Sequence, residues 1–245
     1  MSSTTSPMSG LFIVGTDTDV GKTYLTARIA RQILEEGTSV GVYKPACSGS
    51  EPGEDQNPIW RDVETLSEAV NHQFPREKIC PQRFRAPLAP PVAARMENRE
   101  IDEDLLVQGI QWWQGRVDVL LIEGIGGLLC PVSDQKTVCD LAEEWKFPLL
   151  IVARLGLGTI NHTLLTVEVA KNRGLDVAGI VLNESQPQQG GLAGKSNAEE
   201  IERRCHVPIL AVVPYRDSTG LRPLAETSTI NWGGVARKAR NVYNK

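Results

Sequence analysis

The chain of 245 residues contains no apolar run approaching the roughly 18 residues a membrane-spanning helix needs, so no membrane partner is expected. Its first residues, Met1 to Ser9, have neither a basic region nor an apolar core. They read as a flexible leader (1–9) ahead of a single domain (10–245), not as a secretory signal. Positive charge is not in excess: 26 Lys and Arg stand against 30 Asp and Glu, for a net charge of -4. That balance argues against a broad nucleic-acid-binding face, and no nucleic-acid partner is expected. There is no CxxC pair among the five cysteines, Cys47, Cys80, Cys130, Cys139 and Cys205. An odd, scattered set excludes a disulfide framework and a cysteine zinc site, and reads as reduced thiols in a cytoplasmic protein.

What is present is ordinary for a folded domain, with 41% hydrophobic and 23% charged residues. Short apolar runs alternate with amphipathic stretches. Leu11–Val14, Ser39–Tyr43, Val117–Ile122, Leu149–Ala153, Val177–Leu182 and Ile209–Val213 read as strands. The run VDVLLI is unbroken and apolar after its acid, the pattern of a strand buried on both faces. Helical patterns cover about Thr23–Glu36, Val138–Trp145, Asn161–Arg173 and Asn197–Cys205, and Gly37 closes the first. This alternation predicts a single-domain α/β fold: a mostly parallel, doubly wound P-loop NTPase-like sheet with helices on both faces. Ser48–Pro58 and Ser185–Ser196 read as loops. Cys80–Arg99, with Pro81, Pro87, Pro90 and Pro91, reads as irregular. Trp112 and Trp113 read as a helix face packed on the sheet.

The first strand runs into Gly15-Thr-Asp-Thr-Asp-Val-Gly-Lys-Thr23. Gly21 permits close approach of backbone to phosphate, Lys22 neutralises it, and the Thr23 hydroxyl suits magnesium. The first glycine falls one residue earlier than in a strict GxxxxGK[ST]. Glu123 follows VDVLLI and precedes Gly124, Gly126 and Gly127, where an acid either faces a magnesium ion or faces water. Asp62 opens a helical stretch, as a second metal acid or as an N-terminal acid favoured by the helix dipole. Lys44 ends the second strand, pointing to the ligand crevice or lying at the surface. Asn161 reads as a helix cap beside His162.

The motifs GTDTDVGKT (Gly15–Thr23), YKPACSGS (Tyr43–Ser50), IEGIGGLLCPVSD (Ile122–Asp134), LGLGTINHTLLT (Leu155–Thr166) and GIVLNE (Gly179–Glu184) resemble those of dethiobiotin synthetases, in order and spacing, over nearly all of Gly10 to Tyr215. The resemblance implies an ATP-dependent cyclo-ligase that joins 7,8-diaminononanoate and CO2 into dethiobiotin, with ADP and phosphate released and Mg2+ as cofactor. It implies Lys22 and Lys44 as catalytic cations and Thr23, Asp62 and Glu123 as metal ligands. Thr18, Ser48, Leu157, Gly158 and Asn161 would meet the substrate, the last three across a homodimer interface. ATP would be held by Asp19, Val20, Gly21, Lys22, Thr23, Tyr24, Asp62, Glu123, Gly124, Ile125, Gly126, Asn183, Glu184, Pro214 and Tyr215. Asp19 replaces the glutamate of some members and keeps the charge. A ParA/MinD-like switch ATPase is the alternative reading. Its signature lysine would stand at residue 17, where this chain has Asp17.

Overall fold

A computed structural model of the chain describes residues 8–186, 191–215 and 230–238. Its core is a sheet of six strands: β1 (Ser9–Gly15), β2 (Val40–Tyr43), β3 (Val119–Gly127), β4 (Leu149–Arg154), β5 (Val177–Asn183) and β6 (Ile209–Val213). The order is β6-β5-β4-β1-β3-β2, and every neighbouring pair is parallel. Parallel strands need crossovers, and the helices between or after them include, among the described residues, α1 (Lys22–Glu35), α2 (Arg61–Ala69), α3 (Val138–Trp145), α4 (Thr159–Asn172), α5 (Gly191–Cys205) and α6 (Trp232–Lys238).

Burial follows from that architecture. Leu11, Phe12, Ile13 and Val14 in β1, and Val119 to Ile122 in β3, are all 0% exposed. Successive strand residues point to opposite faces, so both faces of the sheet are covered. Helix α1 buries Leu25, Ile29 and Ile33, one residue per turn along one side. It ends where Gly37 adopts φ +77°, with the Gly37 amide bonded to the Leu34 carbonyl and the Thr38 amide to the Ile33 carbonyl. That crossed pair is a Schellman closure, and a glycine makes it without strain. No helix among the described residues is long and apolar enough to cross a membrane.

Several sequence expectations are corrected. Ser9, read as the last residue of the leader, opens β1 and pairs with Val119. The proline-rich stretch is not irregular. It holds a strand at Gln82–Phe84, paired with Ala46–Ser48, and a helix at Pro90–Met96. Both Pro90 and Pro91 sit in the first turn of that helix, where the missing N–H has no intrahelical partner to lose. Helix α5 begins at Gly191, inside the stretch read as a loop; residues 187–190 lie outside the described ones. Glu51–Pro52 and Pro58–Ile59 form a minimal antiparallel pair in the other expected loop. Trp113 is buried on a 3-10 turn (Gly109–Trp113), not a helix face, and its ring fills the space that a Cβ on Gly41 would occupy.

Helix α3 is fixed by a capping box: Thr137 and Asp140 exchange side-chain and backbone bonds. Arg173, just past α4, also donates to Asp140 at 2.6 Å. Partial burial favours the neutral acid, but the Thr137 and Arg173 bonds outweigh it and hold the Asp140 carboxyl at about 2. A depressed folded-state pKa adds stability that is present above the unfolded value near 4 and is lost as pH falls toward 2. Asp140→Asn is expected to lower stability by about 1 kcal/mol at pH 7. It should also flatten the acid limb between about pH 4 and 2 in denaturant titrations, relative to the unsubstituted chain.

Candidate active site

The groups singled out in the sequence converge at the carboxyl ends of the parallel strands, where open α/β sheets bind ligands. Strand pairing does the assembly. Tyr43 lies opposite Ile122, and Ile13 opposite Glu123. The ends of β1, β2 and β3 therefore deliver the phosphate loop, Lys44 and Glu123 to one place.

Their contacts form one network. Glu123 is 0% exposed. Its Oε1 accepts from the Thr23 hydroxyl at 2.7 Å and from Lys44 Nζ at 2.6 Å. Lys44 Nζ also donates to Asp62 Oδ2, on the first turn of α2. Burial pushes the Lys44 ammonium down, but Glu123 and Asp62 overcome it and raise its pKa well above the ordinary lysine value. Burial favours a neutral Asp62; Lys44, the Thr23 hydroxyl and Lys22 reverse that and lower its pKa. Both partners are therefore ionised at neutral pH. Lys22 is also buried, and this desolvation lowers its pKa despite the pull of Glu123.

The phosphate loop is held open from both sides. Gly21, just before α1, has φ +96°, and Asp19 has φ +57°. Asn183, at the end of β5, donates from Nδ2 to the Val20 carbonyl at 2.9 Å. A Cβ on Gly21 would collide with that amide nitrogen. Lys22 Nζ meanwhile donates to the Asp17 carbonyl at 3.0 Å, so its ammonium is parked on the loop's own backbone. Thr18 Oγ1 lies beside Gly126, 3.5 Å from where a Cβ would stand.

A magnesium ion fits this donor set. Glu123 Oε2 is buried without a hydrogen-bond partner, and next to it stand a hydroxyl and a second carboxylate, all hard oxygens. Among the described residues no group of three or more His, Cys, Asp or Glu gathers. That suits an ion held by one or two carboxylates together with phosphate oxygens.

The remaining expected residues are placed less tightly. The Glu184 amide bonds to the Val213 carbonyl, and its carboxylate accepts from the Tyr215 amide at 2.9 Å, just past the exposed Pro214. This joins the ends of β5 and β6. Tyr24 is exposed on α1 and accepts from Arg28 at 2.9 Å. Gly124 and the half-buried Ile125 continue β3, and a Cβ on Gly124 would press on Val138. Ser48 is half-buried at the end of its short strand. Leu157 is 93% exposed, and Gly158 turns the chain with φ +85°. Asn161 is not the cap: α4 starts at Thr159, so Asn161 lies inside the first turn. None of these last four bonds to the lysine–carboxylate network. One pair was missed in the sequence, Arg154 at the end of β4 and Asp17 in the loop, joined at 2.8 Å. The strand-end logic that picked out Lys44 applies equally to Arg154. A cavity of 860 Å³ opens at the opposite end of the sheet, beside Gly10, Trp145, Phe147 and Leu175, and contains none of these groups.

The glycine at position 21 gives a direct test. Gly21→Ala combines a left-handed φ with the clash on Asn183, a strain of about 1–3 kcal/mol. ATP affinity measured by calorimetry should fall about tenfold or more, and unchanged affinity would mean that the loop opens differently.

Comparison with known proteins agrees with this geometry. The profile of a family described as an AAA domain matches residues 9–221. Among solved structures, chloroplast FtsY from Physcomitrella patens superposes with a TM-score of 0.53 at 16% identity, over 96% of this chain and 65% of that one. A ParA family ATPase from Chlorobium tepidum gives 0.51 at 16%, over 86% and 85%. These show a shared fold. Closer in sequence are proteins named ATP-dependent dethiobiotin synthetase BioD. The one from Anaeromyxobacter dehalogenans is 43% identical over 215 residues, 88% of this chain and 94% of that protein. Those from Rhodopirellula baltica and Bacillus licheniformis are 37% and 38% identical, over 91% and 84% of the chain. With a phosphate loop, two buried lysines and a strand-end glutamate in place, the chain belongs to the ATP-dependent dethiobiotin synthetase family.

Proposed function

We propose that this chain makes dethiobiotin from 7,8-diaminononanoate, CO2 and ATP, releasing ADP and phosphate. The observation that carries the reading is the pair of buried lysines, Lys22 and Lys44, beside Glu123. The reaction has to bring two anions together, and fixed positive charge in a dry site is what that requires.

One amine of the substrate attacks CO2, forming a C–N bond and losing a proton to give a carbamate. A carbamate oxygen then attacks the γ-phosphorus of ATP as the bond to ADP breaks. The second amine attacks the carbonyl carbon of the resulting carbamic-phosphoric anhydride. Phosphate leaves, a proton is lost and the ureido ring closes. Lys22 is suited to leave the Asp17 carbonyl for a phosphate oxygen, and Lys44, charged at neutral pH, to hold the carbamate against the γ-phosphate. Thr23, Asp62 and Glu123 would hold Mg2+, which when bound neutralises charge on the phosphates. Asn183, its Nδ2 spent on Val20, presents Oδ1 as an acceptor, which suits the exocyclic amine of adenine. The backbone at Pro214 and Tyr215 would flank the base. Thr18 and Ser48 would meet the substrate's reacting end. The exposed loop with Leu157, Gly158 and Asn161 would meet its carboxylate in a second subunit of a homodimer. Five free thiols fit a reducing, cytoplasmic setting.

ADP release is expected to require the diamine, with dethiobiotin identified by mass in equal amount. Release indifferent to the diamine, or stimulated by DNA or a membrane, would point to a switch ATPase instead. Lys44→Ala should lower kcat by about 10²–10³ while changing ATP affinity far less; a rate near that of the unsubstituted enzyme would remove the role given to Lys44.

A further inference from the structure

The phosphate loop has two separate anchors, and they hold different halves of it. Its second half is fixed by Asn183 on the Val20 carbonyl, next to Gly21, where phosphate is received. Its first half is fixed to β4: the Thr16 amide bonds to the Val152 carbonyl at 3.0 Å, and Arg154 Nη2 donates to Asp17 Oδ2 at 2.8 Å. Asp17 then passes that constraint on. Its other oxygen, Oδ1, accepts from the Thr18 amide at 2.7 Å. Arg154 is also the last residue of the strand that leads into residues 155–161, the loop assigned above to the substrate.

An ion pair this exposed, with side chains 36% and 49% accessible, adds little to global stability. Its value is geometric. The charge-assisted bond from Arg154 fixes where the Asp17 carboxylate lies, and the carboxylate's other oxygen sets the orientation of the Thr18 peptide.

We propose that Arg154 is a positioning residue for the diamine: through Asp17 it sets Thr18 and the first half of the phosphate loop, leaving the nucleotide half to Asn183. This rests on the ring-closing reaction proposed above. It predicts a separation of effects that a general loosening of the fold would not produce.

The test is steady-state kinetics of the full chain with ATP, magnesium, bicarbonate and diamine, together with calorimetric ADP binding and thermal melting. Four variants are compared: Arg154→Gln, Arg154→Lys, Asp17→Asn and the double Asp17→Asn/Arg154→Gln. Arg154→Gln and Asp17→Asn should each raise KM for the diamine about fivefold or more, and the double variant no further, because both remove the same interaction. ADP affinity and melting temperature should stay close to those of the unsubstituted enzyme, and Arg154→Lys should recover most of the lost diamine affinity. A diamine KM unchanged in Arg154→Gln would overturn the inference while leaving the reaction intact. So would effects that multiply in the double variant, or an equal loss of ADP affinity. Turnover by the unsubstituted enzyme that ignores the diamine would overturn the reaction, and this role with it.

Discussion

The site depends on one interaction, the buried ammonium of Lys44 between Glu123 and Asp62. Enclosing a carboxylate as fully as that of Glu123 is costly without a cation beside it, and removing either member of such a pair typically costs about 3–5 kcal/mol. The fold supplies that cation through strand register. Because Tyr43 pairs with Ile122 in a parallel ladder, the next residues along, Lys44 and Glu123, emerge side by side at the same sheet end. A slip of one residue would send Lys44 to the other face of the sheet and leave Glu123 unpaired. The hydrophobic strands on either side therefore do more than fill the core; their pairing fixes where charge can be tolerated.

The same arrangement explains why the chemistry needs no side chain of unusual acidity. Phosphoryl transfer between anions is limited by repulsion and by alignment, both of which a rigid set of cations and backbone donors can lower. The free protein keeps its cations occupied with internal partners. Lys22 rests on the Asp17 carbonyl and Lys44 on two carboxylates. In the proposed reaction, bound anions would exchange one set of partners for another.

Much of this was legible in the sequence because the signals were strong and local. An unbroken apolar strand followed by Glu-Gly, or a glycine-rich turn ahead of a helix, specifies both an element and the position of its end. The misreadings have equally local causes. Prolines at 81, 87, 90 and 91 suggested irregular chain, yet two of them occupy the one turn of a helix that tolerates proline. Asn161 has good capping chemistry, but Gly158 reaches the left-handed turn first and starts α4 at Thr159. Arg154 could have been picked out by its strand-end position, but its pairing with Asp17 spans 137 residues and is fixed only when β4 lies against β1, so local pattern could not reveal the pair.

In the proposed reaction this bank of cations holds a carbamate oxygen in line with the γ-phosphorus. The most direct measurement is the fate of that oxygen when the reaction is run with 18O-labelled CO2 and the released phosphate is analysed by mass. One labelled oxygen is expected in each phosphate, transferred when the anhydride forms and retained when the ring closes. Phosphate carrying oxygen only from ATP and water would contradict it, since ATP would then be hydrolysed without meeting the carbamate.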